Sequence, residues 1–190
     1  GLALSDDAAV RDRVAASARM IDDALAAGRS IYGVTTGFGA SVAFGVDPGV
    51  ADRVSLNLLR YHGCGTGIPF GPVEGAAIVA VRAASLARGY SGVSVGLVER
   101  LCALVDRRVV PVIPSEGSVG ASGDLTPLSY VAAVLAGERE VWRAGGVEPA
   151  ADALRAEGLE PLALRPKEAL AVMNGTSVMG ALGCLAWHRA

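Results

Sequence analysis

Seven consecutive residues, Ser118-Val119-Gly120-Ala121-Ser122-Gly123-Asp124, carry almost no side-chain bulk. Pro111-Val112-Ile113-Pro114 leads toward them as extended chain, because proline disfavours helix at the residue before it. Thr126 then reads as a helix N-cap, with Pro127 at the first helical position. The apolar residues Val109, Val110, Val112 and Ile113 point to a buried setting. A buried segment without side chains lets backbone approach backbone closely, so the rest of the fold has to be arranged around it.

The remainder of the chain reads as helices cut by glycine and proline. Ser5-Asp6-Asp7 signals a helix start, with acidic groups at the positive end of the helix dipole. Val10, Val14, Ala15, Ala18, Ile21 and Leu25 follow at helical spacing, up to Gly28. The span 32–45 is Gly-rich and aromatic and reads as a loop. Pro48 opens a second helix over 49–62. Gly63-Cys64-Gly65-Thr66-Gly67 reads as a loop, since three glycines in five residues oppose a helix. Spans 72–87 and 95–107 read as two more helices. Span 142–164 reads as an edge ribbon and a short helix. Pro166 opens a final helix. No strand alternation, repeat or low-complexity tail is visible, so the expected class is mainly α, with little β.

At 190 residues the chain is long enough for one domain with a sizeable core. It is 52% hydrophobic and 19% charged, more apolar than usual for a globular domain, which suggests that some surface is covered by another subunit. A net charge of −2, with no basic stripe, gives no reason to expect nucleic acid. Cys64, Cys102 and Cys184 are scattered and odd in number, which fits a reducing cytoplasm better than a disulfide framework. With only His62 and His188, no set of residues has metal-ligand spacing. The apolar run 169–187 has about the length of a spanning helix. Asn174 in its middle would be costly in lipid, so a helix buried inside an oligomer is the better reading. The chain starts without Met and ends in an apolar helix, which reads as a fragment or a processed product.

The small-residue segment has two readings. One is an ordinary connector, since such loops are common. The other is a condensation. The amide nitrogen of Gly123 attacks the carbonyl carbon of Ala121, and loss of water closes a five-membered ring. Loss of the Ser122 hydroxyl as a second water leaves an exocyclic methylidene. Glycine permits the compression, serine supplies the leaving hydroxyl and alanine is a small neighbour. The positive end of the following helix would favour developing negative charge.

Four ordered motifs carry a resemblance. Gly120-Ala121-Ser122-Gly123-Asp124-Leu125-Thr126-Pro127-Leu128 resembles the signature of the aromatic amino acid ammonia-lyases and aminomutases. Tyr32-Gly33-Val34-Thr35-Thr36-Gly37-Phe38-Gly39 resembles that family's tyrosine loop. Asn57-Leu58-Leu59-Arg60-Tyr61-His62-Gly63, with Gly65-Thr66-Gly67, resembles its selectivity segment. Lys167-Glu168-Ala169-Leu170 and Asn174-Gly175-Thr176 resemble its asparagine helix. The resemblance covers the N-terminal part of such enzymes, well under half. It implies the N-terminal domain of the helical ammonia-lyase (fumarase/aspartase-like) fold over 1–190, with 165–190 starting the central bundle and the C-terminal part absent.

The resemblance also implies roles. Ala121, Ser122 and Gly123 would form the 4-methylidene-imidazol-5-one (MIO) electrophile, without metal or nucleotide. Tyr32 would be the base that removes a proton from the substrate β-carbon; a free tyrosine titrates near 10, so the role demands a lowered value. His62 would contact the substrate ring. Asn174 would bind near the electrophile or the substrate carboxylate. Read without the motif, these are a loop tyrosine on a glycine turn, a helix-end histidine and a cap after a kink. Asn-Gly inside an apolar helix pattern is locally unfavourable, which points to a specific reason for it. The implied reaction is non-oxidative loss of ammonia from an aromatic L-amino acid in a cytoplasmic homotetramer, giving an arylacrylate. An aminomutase and a catalytically incomplete fragment are the alternatives.

The pattern also departs from the family's. Thr35 and Ser177 stand where histidine enzymes usually carry Asn and often Gln. Ser55 replaces a common Gln, and Tyr61 and Cys64 replace smaller residues. His62 suits tyrosine or histidine as substrate better than phenylalanine.

Rival motifs fail on context. Gly92-Val93-Ser94-Val95-Gly96 matches a nucleophile elbow, but that elbow needs a strand before it. Here a helix precedes, and Ser94 is better read as the N-cap of the next one. Gly37-Phe38-Gly39 and the glycines at 63–67 lack the lysine or acidic partner of nucleotide loops.

Overall fold

Asp7 starts the first helix: its carboxylate accepts the Ala9 amide at 2.9 Å, taking one of the donors a helix start leaves unpaired. Helix α1 (Ala8–Ala26) buries Val14 and Ala18. The computed structural model describes residues 1–46, 51–119 and 123–190, without the side chains of Ala51 and Asp52. The helix-opening Pro48-Gly49 therefore lies outside the described residues, as do Gly120, Ala121 and Ser122.

After α1 the chain forms an irregular loop with a short 3₁₀ turn, Gly39–Ser41, and a bridge between Thr36 and Gly45. Helices α2 (Ala51–Tyr61), α3 (Pro72–Leu86) and α4 (Val95–Asp106) follow. Pro72 lies in the first turn of α3, where a missing N–H costs nothing. Ser94 caps α4 by accepting the Leu97 amide at 3.2 Å, as expected, and no strand precedes it.

Helix α5 (Leu125–Leu135) is buried throughout from Pro127 to Leu135. A helix that is apolar all round belongs in a core. Burial of each large side chain, such as Leu128 or Leu135, is worth roughly 1.5–3 kcal/mol. Helices α2 and α7 (Glu168–Met173) pack against it. Helix α6 (Ala150–Ala156) follows a hairpin of β4 (Glu140–Arg143) and β5 (Gly146–Pro149). The short helix expected within 142–164 is this one, and the ribbon is the hairpin.

Three expectations need correction. First, Thr66 and Gly67 are not loop: β1 (Thr66–Pro69) pairs antiparallel with β3 (Pro114–Glu116), Thr66 opposite Glu116. Likewise β2 (Val110–Pro111) joins β4, Val110 opposite Trp142. The prolines make the segment extended, and extended chain beside a partner pairs. Second, α5 starts at Leu125 with Asp124, not Thr126, at its N-cap position. Pro127 is still within the first turn, where its lost donor is not needed. Third, the final helix is two: α7 (Glu168–Met173) and α8 (Ser177–Arg189), broken at Asn174-Gly175-Thr176. Gly175 has φ +134°, which an L-residue rarely adopts. Among the described residues, no helix is long and apolar enough to cross a membrane.

Candidate active site

The break between α7 and α8 lies beside the small-residue segment. Gly123 and Gly175 form a parallel bridge, which puts the last residue of Ala121-Ser122-Gly123 next to Asn174. The flanks of the segment are tied together, since the Val119 amide donates to the Gly123 carbonyl at 3.1 Å.

Asp124 is fully buried and does not cap its own helix. Its Oδ2 accepts the Val178 and Met179 amides at 2.9 and 3.1 Å, and its Oδ1 accepts the Ser118 hydroxyl at 2.7 Å. One carboxylate thus caps α8 across the fold and holds the start of the small-residue segment. The donors and the positive end of α8 compensate a buried anion.

On the other side of the break, Arg82 of α3 donates from Nη1 to the Ser177 hydroxyl at 3.2 Å and from Nη2 to the Ala171 carbonyl. A Cβ on Gly175 would collide with its Nη1. Gly175→Ala combines that collision with the strained φ. It is expected to cost about 2–3 kcal/mol, read as a lowered urea midpoint at unchanged slope. An unchanged midpoint would show that the break relaxes freely.

Glu168 anchors the other end of α7. It is buried; its Oε1 accepts the Ser94 amide and hydroxyl at 2.9 and 2.7 Å, and its Oε2 accepts the Arg165 amide at 2.9 Å. Ser94 is therefore engaged in joining α4 to α7 rather than standing free as a nucleophile.

The tyrosine loop rests on α7. A Cβ on Gly33 would lie 2.9 Å from Cδ2 of Leu170 and 2.5 Å from the Phe38 ring, so this position needs glycine. Tyr32 is half exposed. Its phenol oxygen accepts the Gly39 amide at 3.0 Å, and its ring meets Phe38 edge-on. Thr35 accepts the Ile31 amide at 2.8 Å and Thr36 accepts the Gly33 amide at 3.1 Å, so both threonines shape the loop.

His62 follows α2 and shares a cleft of about 380 Å³ with Gly37, Phe38 and Ser41 of the tyrosine loop and with Asn57 and Tyr61. Its Nδ1 is 3.0 Å from the Leu58 carbonyl. The tautomer that donates this bond leaves Nε2 as an acceptor. A larger groove, about 860 Å³, lies between the start of α3 and the β4–β5 hairpin. It contains none of the motif residues.

The structure therefore joins Gly123 to the Asn174 break, and the tyrosine loop both to α7 and to the His62 cleft. Ala121 and Ser122 lie outside the described residues. Sequence reasoning missed Arg82, Asp124 and Glu168. Arg82 had a signal, a lone charge in the apolar stretch Ile78–Ala84 of a helix. Asp124 and Glu168 stand inside quoted motifs, but their roles were not legible, because Val178 and Met179 for one and Ser94 for the other are distant in sequence. Among the described residues, no cluster of three His, Cys, Asp or Glu could hold a metal ion.

The family model for aromatic amino acid lyases matches residues 1–190. The chain belongs to that family. It is 43% identical over 179 residues to histidine ammonia-lyase of Geobacillus thermodenitrificans, covering 94% of this chain and 36% of that protein. To histidine ammonia-lyase of Sorangium cellulosum it is 46% identical over 182 residues, covering 94% and 35%. Among solved structures of the lyase family's fold, tyrosine aminomutase from Streptomyces globisporus matches with a TM-score of 0.87 and 40% identity, covering 94% of this chain and 33% of that one. Histidine ammonia-lyase from Trypanosoma cruzi matches with a TM-score of 0.86 and 33% identity, covering 96% and 34%. The chain thus spans about a third of the length of the relatives it matches. The mainly helical fold expected of this lyase family is the one observed.

Proposed function

We propose that this chain supplies the electrophile-bearing part of an ammonia-lyase that eliminates ammonia from an aromatic L-amino acid, histidine or tyrosine before phenylalanine. The observation that carries the reading is the Gly123–Gly175 bridge beside Asn174. Ala121, Ser122 and Gly123 would form the MIO group; once formed, it supplies an electrophile that turns the substrate amine into a leaving group.

The other roles belong to this chain's side chains. Tyr32 takes the β-proton on its phenol oxygen, the site that the Gly39 amide holds in place. The carbon–nitrogen bond breaks as the Cα–Cβ double bond forms, giving ammonia and an arylacrylate. His62 meets the substrate ring from its cleft, with Nε2 as an acceptor for a ring N–H or O–H. Asn174 binds next to the electrophile or the substrate carboxylate. We place the protein in the cytoplasm as a homotetramer, in which the exposed Met179 and Trp187 of α8 are covered by other subunits.

Intact mass tests the precursor: loss of two waters supports the reading, and full encoded mass sinks it. Incubation with His, Tyr or Phe, followed in the ultraviolet for a conjugated acrylate, tests turnover. Tyr32→Phe is expected to lower kcat by ~10²–10⁴-fold while the two-water loss persists; undiminished kcat would remove Tyr32 as the base. The likeness to tyrosine aminomutase favours a second reading, re-addition of ammonia at the β-carbon, which a β-amino acid product would identify. Water loss without any turnover would mark these 190 residues as catalytically incomplete.

A further inference from the structure

Arg82 is only 5% exposed, and among the described residues no ion pair links it to a carboxylate. Among the described residues, its Nε has no hydrogen-bond partner. Burial pushes its pKa down to about 10. A second cation, the partly buried Lys167, is also pushed down, by burial first and by the Arg82 charge second. The buried carboxylate Glu168 is engaged elsewhere, with Ser94 and the Arg165 amide. An unpaired buried guanidinium is costly, and a well-packed apolar side chain would serve stability as well.

The bonds that Arg82 does make bracket the Asn174-Gly175-Thr176 break. Ala171 lies in the last turn of α7 and Ser177 begins α8, and the guanidinium occupies the space that a Cβ on Gly175 would fill. Among the described residues, no hydrogen bond fixes the Asn174 side chain. Its main chain holds it, through the amide bond to the Leu170 carbonyl at 3.0 Å. The shape of the break therefore sets where Asn174 stands.

We propose that Arg82 is a positioning residue: its planar fork spans the α7–α8 break and sets Asn174 and Gly175 against Gly123. This rests on the ammonia-lyase reading. A fork makes two directed bonds from one rigid plane, which a lysine cannot reproduce. The function lies in geometry rather than in charge, and displacement of a reacting group by about 1 Å costs up to ~100-fold in rate.

The test compares Arg82→Met, Arg82→Lys and Ser177→Ala in the whole protein that carries these residues. The readouts are intact mass, Tm, kcat and KM with the aromatic amino acid turned over, and amide exchange over 174–178. Arg82→Met is expected to keep the two-water loss and to melt within about 4 °C of the wild type. Its kcat should fall ~10–100-fold with KM changed less than about threefold, and exchange at the break should quicken. Arg82→Lys should not restore kcat, and Ser177→Ala should lose about 3–10-fold as one arm of the fork is released. Recovery of kcat in Arg82→Lys, or full kcat in Arg82→Met, would overturn the proposal. Should Arg82→Met not fold, Ser177→Ala decides: full kcat with unchanged exchange overturns it. If the wild type itself turns nothing over, the activity reading fails separately, and unquickened exchange at 174–178 in the variants still overturns the positioning role.

Discussion

Ser122→Ala is expected to abolish turnover, by roughly a thousandfold or more, equivalent to about 4 kcal/mol or more of transition-state stabilisation. The substitution removes one oxygen, and with it the hydroxyl that must leave as the second water. Both glycines that permit compression and the alanine that supplies the carbonyl remain. Nothing large is taken from the core, so the melting temperature should stay within about 3 °C of the wild type. Intact mass should show at most one water lost. A variant that keeps full activity would sink the assignment of Ala121-Ser122-Gly123 as precursor, and one that unfolds would show the serine to be structural.

Asp124→Ala is expected to act on the fold as well as on the chemistry. The side chain is fully buried and, among the described residues, accepts hydrogen bonds from Ser118, Val178 and Met179. Removing it leaves two amides at the start of α8 without an acceptor. Charged hydrogen bonds are worth about 1.5–3 kcal/mol each, and loss of a helix cap typically about 1. Because these overlap, the net loss is about 3–5 kcal/mol, or roughly 10–15 °C in Tm for a chain of this size. Asp124→Asn keeps an acceptor oxygen and should recover about half. Thermal melting of both variants, with intact mass, separates the effects. Melting of Asp124→Ala within 3 °C of the wild type would show that α8 does not depend on this carboxylate.

Local chemistry made much of this fold readable from the residues. Pro72 and Ser94 begin their helices as proline and serine should, and Asn174-Gly175 marks a place where helix continuity is sacrificed. The missed features have one cause: they depend on partners far along the chain. Asp124 stands at the start of α5, yet its Oδ2 is taken by amides 54 and 55 residues later. The β1–β3 pairing joins a Gly-rich and a Pro-rich segment, neither of which alternates. At the site, motif order brought out Tyr32, His62, Gly123 and Asn174. Arg82 lies outside those motifs; its one signal, a lone charge in an apolar helix pattern, has the same spelling whether the side chain snorkels to the surface or, as here, turns inward to Ala171 and Ser177.

The reach of Asp124 also sets a schedule for synthesis. The loop that ends at Gly123 leaves the ribosome well before the amides of Val178 and Met179 that hold its next residue. At ~5–20 residues per second, that interval is roughly 3–10 s. During it, a charged carboxylate and a glycine edge wait for a helix that has not yet been made. A nascent chain halted before Ser177 would lack the two amides that hold this carboxylate.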